Sequence, residues 1–163
     1  MQIIDNFIPP KIFEEVQSRM LGYGFPWMWN DFVTKEEESD NEFQLIHSFY
    51  APLSGIVTPY TEYRKILAPY VDNMNVTSLM RIKANLNVRT AEPVARKLHR
   101  DFEVDCKTAI AYINTNNGYT LFEDGTKVEC VANRIVIFDS KMLHAGVTCT
   151  DEKRRVVINF NYL

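Results

Sequence analysis

From Leu79 onward, apolar side chains fall on every second residue: Met80, Ile82, Ala84 and Leu86 alternate with Arg81, Lys83, Asn85 and Asn87. Successive side chains of an extended chain point to opposite faces. This run is therefore read as a strand with one face in a core and the other against polar surroundings. Shorter runs of the same kind follow at 108–113, 119–122, 127–131, 133–138 and 155–162, separated by Asn, Gly and Asp turn signals. Helices first and a succession of short strands afterwards predict a mainly β architecture, an antiparallel sandwich or barrel with helices packed outside.

The N-terminal half supplies those helices. A short entry strand over 2–7 is followed by a helix opening at Pro9-Pro10, where a fixed φ and a missing donor do no harm. Ile12, Val16 and Met20 share one of its faces, and Gly22 and Gly24 end it. Phe25-Pro26-Trp27-Met28-Trp29 reads as core or pocket wall. The segment 35–42, with five acidic residues, has too little apolar area to bury and reads as a solvated loop or a lip facing substrate. A second helix is expected from Pro59, capped by Thr58, through Tyr63, Ile66 and Leu67 to about Tyr70. The length of 163 residues suits a single domain, 1–78 supporting and 79–163 forming the core barrel.

A net charge of −3 provides no broad positive field, which argues against a general nucleic-acid surface. The first residues lack the basic start and apolar run of a signal peptide, and no eighteen apolar residues stand in succession. A soluble, cytoplasmic protein with no membrane partner is expected. Cys106, Cys130 and Cys149 are odd in number and widely spaced, so they are read as free and structural.

Chemistry concentrates in the C-terminal half. His99-Arg100-Asp101 sets an imidazole and a carboxylate two residues apart, on one side of an extended segment, and His144 lies beyond the 133–138 strand. Two histidines and one carboxylate on one face of a metal leave three positions open, the arrangement of non-haem Fe(II) oxygenases. Taken alone that spacing is a weak signal, and an exposed His-Asp pair or a satisfied loop histidine is its default reading. Arg155 opens an alternating run shared with Val157 and Asn159, and if Val156, Ile158, Phe160 and Tyr162 face away from the metal, Arg155 faces toward it. A buried guanidinium there suits the far carboxylate of a diacid. Lys83 and Asn85, on the polar face of the entering strand, line the substrate mouth or face solvent. His47 has no neighbouring carboxylate and is read as structural.

These motifs, from 79 to 162, resemble the 2-oxoglutarate and Fe(II)-dependent dioxygenases, in particular the prolyl 4-hydroxylase-like branch. The matching residues are His99-Arg100-Asp101, Ala111-Tyr112-Ile113-Asn114, Asn117-Gly118-Tyr119-Thr120, Asn133-Arg134-Ile135-Val136-Ile137-Phe138, His144 and Arg155-Val156-Val157-Ile158. Asn117 and Asn133 stand where the family has glycine, and Asn tolerates positive φ. The basic residue comes slightly later than usual after the distal histidine, which leaves Arg154 as a second candidate.

The resemblance implies a double-stranded β-helix, a cupin-like jelly roll with supporting N-terminal helices. It implies Fe(II) on His99, Asp101 and His144, with 2-oxoglutarate and O2 as co-substrates. By the same resemblance Arg155 and Tyr112 bind 2-oxoglutarate, and Asn159 adds a small polar contact to the same carboxylate. The substrate it suggests is a prolyl residue in a protein or peptide, with 87–98 and the acidic segment as flanking loops. A small molecule or nucleobase as substrate, and a non-catalytic cupin-like metal-binding module, are the alternatives.

Overall fold

The computed structural model describes residues 1–31, 43–51 and 55–163, so the acidic segment 35–42 lies outside the described residues. β1 (Gln2–Ile4) leads into α1 (Pro10–Leu21), then β2 (Met28–Asn30), β3 (Gln44–Ala51) and β4 (Gly55–Ile56). A helical stretch follows in three pieces: α2 (Tyr60–Glu62), a wider turn over Tyr63–Leu67, and α3 (Ala68–Val71). The C-terminal half contributes β5 (Leu79–Val88), β6 (Lys107–Tyr112), β7 (Tyr119–Phe122), β8 (Lys127–Glu129), β9 (Ile135–Asp139), β10 (His144–Val147) and β11 (Arg154–Tyr162).

Among the described residues the strands form two antiparallel sheets. The larger runs β1-β9-β6-β11-β5-β3-β2, with β4 on the side of β3, and the smaller runs β10-β7-β8. Residues 94–99 extend the smaller sheet: Thr148 N donates to Val94 O, Arg96 N to Gly146 O, and Ala95 and His99 bridge to Val147 and His144. The segment expected as a flanking loop is thus in part paired backbone that runs along β10. Two sheets facing each other with this strand order make the jelly roll.

The period-2 pattern decides what each face of the larger sheet meets. Ile82, Ala84 and Leu86 of β5 and Val156, Ile158, Phe160 and Tyr162 of β11 turn outward into the main core, with Phe13, Val16 and Met20 of α1 and Ile66, Leu67 and Tyr70 of the second helical stretch. Each such aliphatic or aromatic side chain contributes roughly 1.5–3 kcal/mol by leaving water. The opposite face looks at the smaller sheet and divides in two. Toward β6 and β9 it is apolar, with Ile110, Tyr112, Val136, Phe138 and Val157 packed on Phe122, Val128 and Cys130. Toward β5 and β3 it is polar and lines a cavity of 730 Å³.

The supporting half differs from expectation in detail. The buried stripe of α1 is Phe13, Val16 and Met20, while Ile12 is 39% exposed. The larger Phe13 ring, one residue on, takes the inward position. The second helix is interrupted, because Pro69 has no N–H to donate and the preceding turn widens so that Ala68 N reaches Tyr63 O. The Thr58 hydroxyl meets His47 Nε2, and His47 Nδ1 meets Pro26 O, so both residues serve the packing of β3, through its His47 and Phe49 rings, against Phe25. In the aromatic segment Phe25 and Trp27 pack inward, but Met28 and Trp29 are exposed. Asn133 does adopt φ 64°, and its side-chain amide clamps both backbone groups of Ile8. The three cysteines are free and buried.

Candidate active site

His99 and His144 are brought together by backbone pairing. His99 N donates to His144 O and His144 N to His99 O, each at 3.0 Å, and the two rings lie 4.7 Å apart between centroids. Asp101 stands just past this bridge. Ligand atoms of His99, Asp101 and His144 all lie within 4.8 Å of one another, near enough for a single ion to collect all three. Two imidazoles and one carboxylate fit a hard-to-borderline divalent metal such as Fe(II).

The carboxylate is held on both oxygens. Oδ1 accepts from Arg81 Nη2 at 2.7 Å; Oδ2 accepts from Asn161 Nδ2 at 2.9 Å and Thr108 Oγ1 at 3.0 Å. Of about four acceptor positions on a carboxylate, one on Oδ1 stays open. Burial alone would raise the Asp101 pKa, but Arg81, His144, the Asn161 amide and His99 outweigh it and hold it at about 2. Ionised Asp101 therefore contributes stability above its ordinary value of 3.8 that is lost only as pH falls toward 2. Burial lowers the His144 pKa, against the pull of Asp101, which favours the neutral ring a metal requires. Acid release of metal is expected to follow His144, with no separate step from Asp101 above pH 3; chelator competition across pH 3–8 checks this.

Asn161, Thr108 and Arg81 were not singled out as site residues by sequence reasoning. Asn161 was legible in principle, since it continues the inward series Arg155, Val157, Asn159 on β11. Outer-shell partners orient a metal ligand, and their loss typically costs about 10–100-fold in metal affinity. Asn161→Leu, similar in size but without a donor, is expected to weaken metal by that amount in chelator competition. An unchanged affinity would show that Arg81 and Thr108 suffice.

Arg155 is 3% exposed and projects between the sheets. Its Nε lies 3.0 Å from Cys130 Sγ, its Nη2 donates to Thr120 Oγ1 at 3.2 Å, and no carboxylate among the described residues pairs with it. Glycines make room for it: a Cβ at Gly118 would stand 3.0 Å from Arg155 Cδ and 2.8 Å from Val147 O, and one at Gly146 would stand 3.4 Å from Arg155 Nη1. Because the Val147 carbonyl is backbone and cannot swing aside, Gly118→Ala is expected to cost about 1–3 kcal/mol and to displace Arg155. Thermal melting and 2-oxoglutarate titration read the two effects separately.

The remaining sequence candidates are placed as follows. Asn159, Lys83 and Asn85 line the cavity with Arg155, Asp101 and His144. Tyr112 is fully buried behind it, its hydroxyl 2.8 Å from Thr120 Oγ1 and its ring 5.9 Å from the Arg155 guanidinium. Thr120, which lines the cavity, stands between Tyr112 and Arg155. Arg154 turns away to the carbonyl of Leu21. His47 is packed among Phe25 and Phe49, apart from the site. No helix among the described residues is long and apolar enough to cross a membrane.

No family model matches the sequence, and no curated protein matches it. Solved structures do match in shape. A prolyl hydroxylase from Trichoplax adhaerens, in complex with a hypoxia inducible factor oxygen degradation domain peptide fragment, has a TM-score of 0.68 at 16% identity, over 99% of this chain and 82% of that one. A Pseudomonas putida prolyl-4-hydroxylase has a TM-score of 0.62 at 13% identity, over 99% and 91%. HygX from Streptomyces hygroscopicus, with nickel and 2-oxoglutarate bound, has a TM-score of 0.58 at 10% identity, over 98% and 81%. The chain has the double-stranded β-helix fold that prolyl hydroxylases share with other 2-oxoglutarate-Fe(II) oxygenases.

Proposed function

We propose that this protein is an Fe(II)- and 2-oxoglutarate-dependent dioxygenase that hydroxylates a C–H bond, with a prolyl residue of a peptide as the leading substrate. The observation that carries the reading is Arg155, a buried guanidinium without a counter-ion among the described residues, beside Gly146. Gly146 stands two residues, roughly 7 Å of strand, from His144. A five-carbon diacid with one end at the metal would bring its other carboxylate to that guanidinium. A burial of this kind is costly unless a ligand of opposite charge completes it.

His99, Asp101 and His144 would hold the metal, and Arg155 the far carboxylate of 2-oxoglutarate. When bound, Fe(II) with 2-oxoglutarate and O2 supplies the oxidising chemistry, whose products are succinate, carbon dioxide and a hydroxylated substrate. The chain's own part is geometric. Thr120 fixes the Arg155 fork, Tyr112 fixes Thr120, and Asn159 faces the cavity between Arg155 and Asn161. The apolar group of Ile110, Tyr112, Val136 and Phe138 closes one side of the interior to water. Tyr112 thus acts on the co-substrate through Thr120 and Arg155, a reading that departs from a direct phenol contact.

A peptide substrate is suggested by the Trichoplax adhaerens neighbour, which is in complex with one. Fold likeness alone does not carry specificity. The test is aerobic incubation of iron-loaded protein with 2-oxoglutarate and a library of proline-containing peptides, reading succinate and the gain of one oxygen atom by mass. Succinate that rises with a peptide, together with that mass gain, is the expected outcome. No succinate from protein with confirmed iron would sink the dioxygenase reading.

A further inference from the structure

Among the described residues the cavity has one acidic lining residue, Asp101, against six basic ones: Arg81, Lys83, Arg96, Lys97, Arg100 and Arg155. Several of these are accounted for. Arg81 pairs with Asp101, Arg100 is engaged by Lys141 O and Glu103, and Arg155 is assigned to the co-substrate. Lys83 stands apart, because among the described residues its ammonium has neither a hydrogen bond nor an ion pair. It projects from β5 opposite Asn159 of β11 and Ser48 of β3, two residues from Arg81 on the same face. Burial and the neighbouring Arg81 push its pKa down to about 8, so it is still mainly charged at neutral pH but poorly compensated.

Two residues further along the same face, Asn85 is 9% exposed and its Oδ1 has no partner among the described residues. Buried amide oxygens are nearly always paired, so an orphan facing a cavity points to a donor that the described residues do not provide. Lys83 and Asn85 together, roughly 7 Å apart along the strand, offer a cation and an acceptor side by side. The Arg81–Asp101 pair next to Lys83 sets this position close to the metal ligands. An anion with an N–H beside it would satisfy both groups.

We propose that Lys83 receives a carboxylate of the substrate and that Asn85 Oδ1 accepts an N–H adjacent to it. The substrate is then an acid: either a peptide with an acidic residue next to the target, or a free amino acid bound by its own α-carboxylate. This rests on the dioxygenase reading above and adds the charge of the substrate to it.

The test is calorimetric titration of anaerobic iron-loaded protein, with and without 2-oxoglutarate, using two matched pairs of probes. One pair is N-acetyl-Asp-Pro-amide and N-acetyl-Asn-Pro-amide; the other is L-proline and L-prolinamide. In at least one pair the carboxylate member is expected to bind at least about tenfold more tightly, a difference of about 1.4 kcal/mol. Lys83→Met should bring the ratio to about one while leaving 2-oxoglutarate affinity unchanged, and Lys83→Arg should restore the preference. The pair that responds distinguishes peptide from free amino acid. Equal affinities within both pairs, no binding by either pair, or a preference that survives in Lys83→Met each overturn the proposal. Loss of 2-oxoglutarate binding in Lys83→Met also overturns it, by making Lys83 the co-substrate anchor. Failure of the wild type to bind 2-oxoglutarate counts against the dioxygenase reading instead, and the titrations without it still decide the role of Lys83.

Discussion

Arg155→Met is expected to raise the melting temperature of the metal-free protein and, in the same molecule, to weaken 2-oxoglutarate at least about 100-fold. The two effects have one cause. Arg155 is 3% exposed, and its hydrogen bonds go to a thiol and a hydroxyl, neither of which carries a compensating charge. Burial raises the Cys130 pKa despite the pull of Arg155, so the thiol does not serve as an anion. A methionine of similar reach removes the desolvation cost, a gain of about 1–2 kcal/mol. For a domain of this size that is roughly 2–8 °C. Once the diacid is bound the balance reverses, because truncating one side of a buried, hydrogen-bonded charge pair costs about 2–5 kcal/mol. A variant that melts lower and binds 2-oxoglutarate as well as the wild type would make Arg155 a structural residue and remove the main support for the proposed function.

Asp101→Ala is expected to abolish both turnover and the rise in melting temperature that metal produces in the wild type. At metal about 100 times its dissociation constant, that rise corresponds to roughly 2.7 kcal/mol. Removing a ligand should lower metal affinity by more than the 10–100-fold typical of an outer-shell partner. The metal-free variant should also be less stable by about 1–3 kcal/mol, since Asn161 and Thr108 lose their acceptor and Arg81 its partner. The lower end is expected, because the Arg81 side chain is 28% exposed and water can replace part of the interaction. His144→Gln separates the two contributions: it loses metal in the same way but keeps the Arg81–Asp101 pair. If metal still shifts the melting temperature of both variants, the ion binds elsewhere.

What was legible beforehand follows strand phase. The alternation of β5 and β11 predicts which side chains face inward, and Arg155, Asn159, Lys83 and Asn85 do line one cavity. The same phase would have included Asn161 and Arg81, whose roles become visible only when Asp101 is placed against them. Spacing paired His99 with Asp101. No local signal joined them to His144, 43 residues from Asp101; that comes from the backbone bridge between 94–99 and β10. The hydroxyl of Tyr112 meets Thr120 of β7, a partner that only the packing of the two sheets brings to it. In the supporting half, the exchange of Ile12 for Phe13 and the wide turn before Pro69 reflect packing and donor loss that periodicity does not resolve.

The order of side chains along each strand, the turn residues that allow Asn133 its left-handed backbone, and the His-x-Asp spacing of His99 and Asp101 were determined by the sequence alone, since they depend on the chain within a few residues. Which segments become neighbours was decided by tertiary structure. Strand pairing is non-local, and a shift of one residue would turn every inward group outward. Only the folded sheets bury the Arg155 guanidinium beside Gly118 and Gly146 and set Lys83 and Asn85 in the same cavity, with no counter-ion for Arg155 or Lys83 and no donor for Asn85 Oδ1 among the described residues. Burial gives these polar groups their energetic meaning, and burial is a property of the packed molecule.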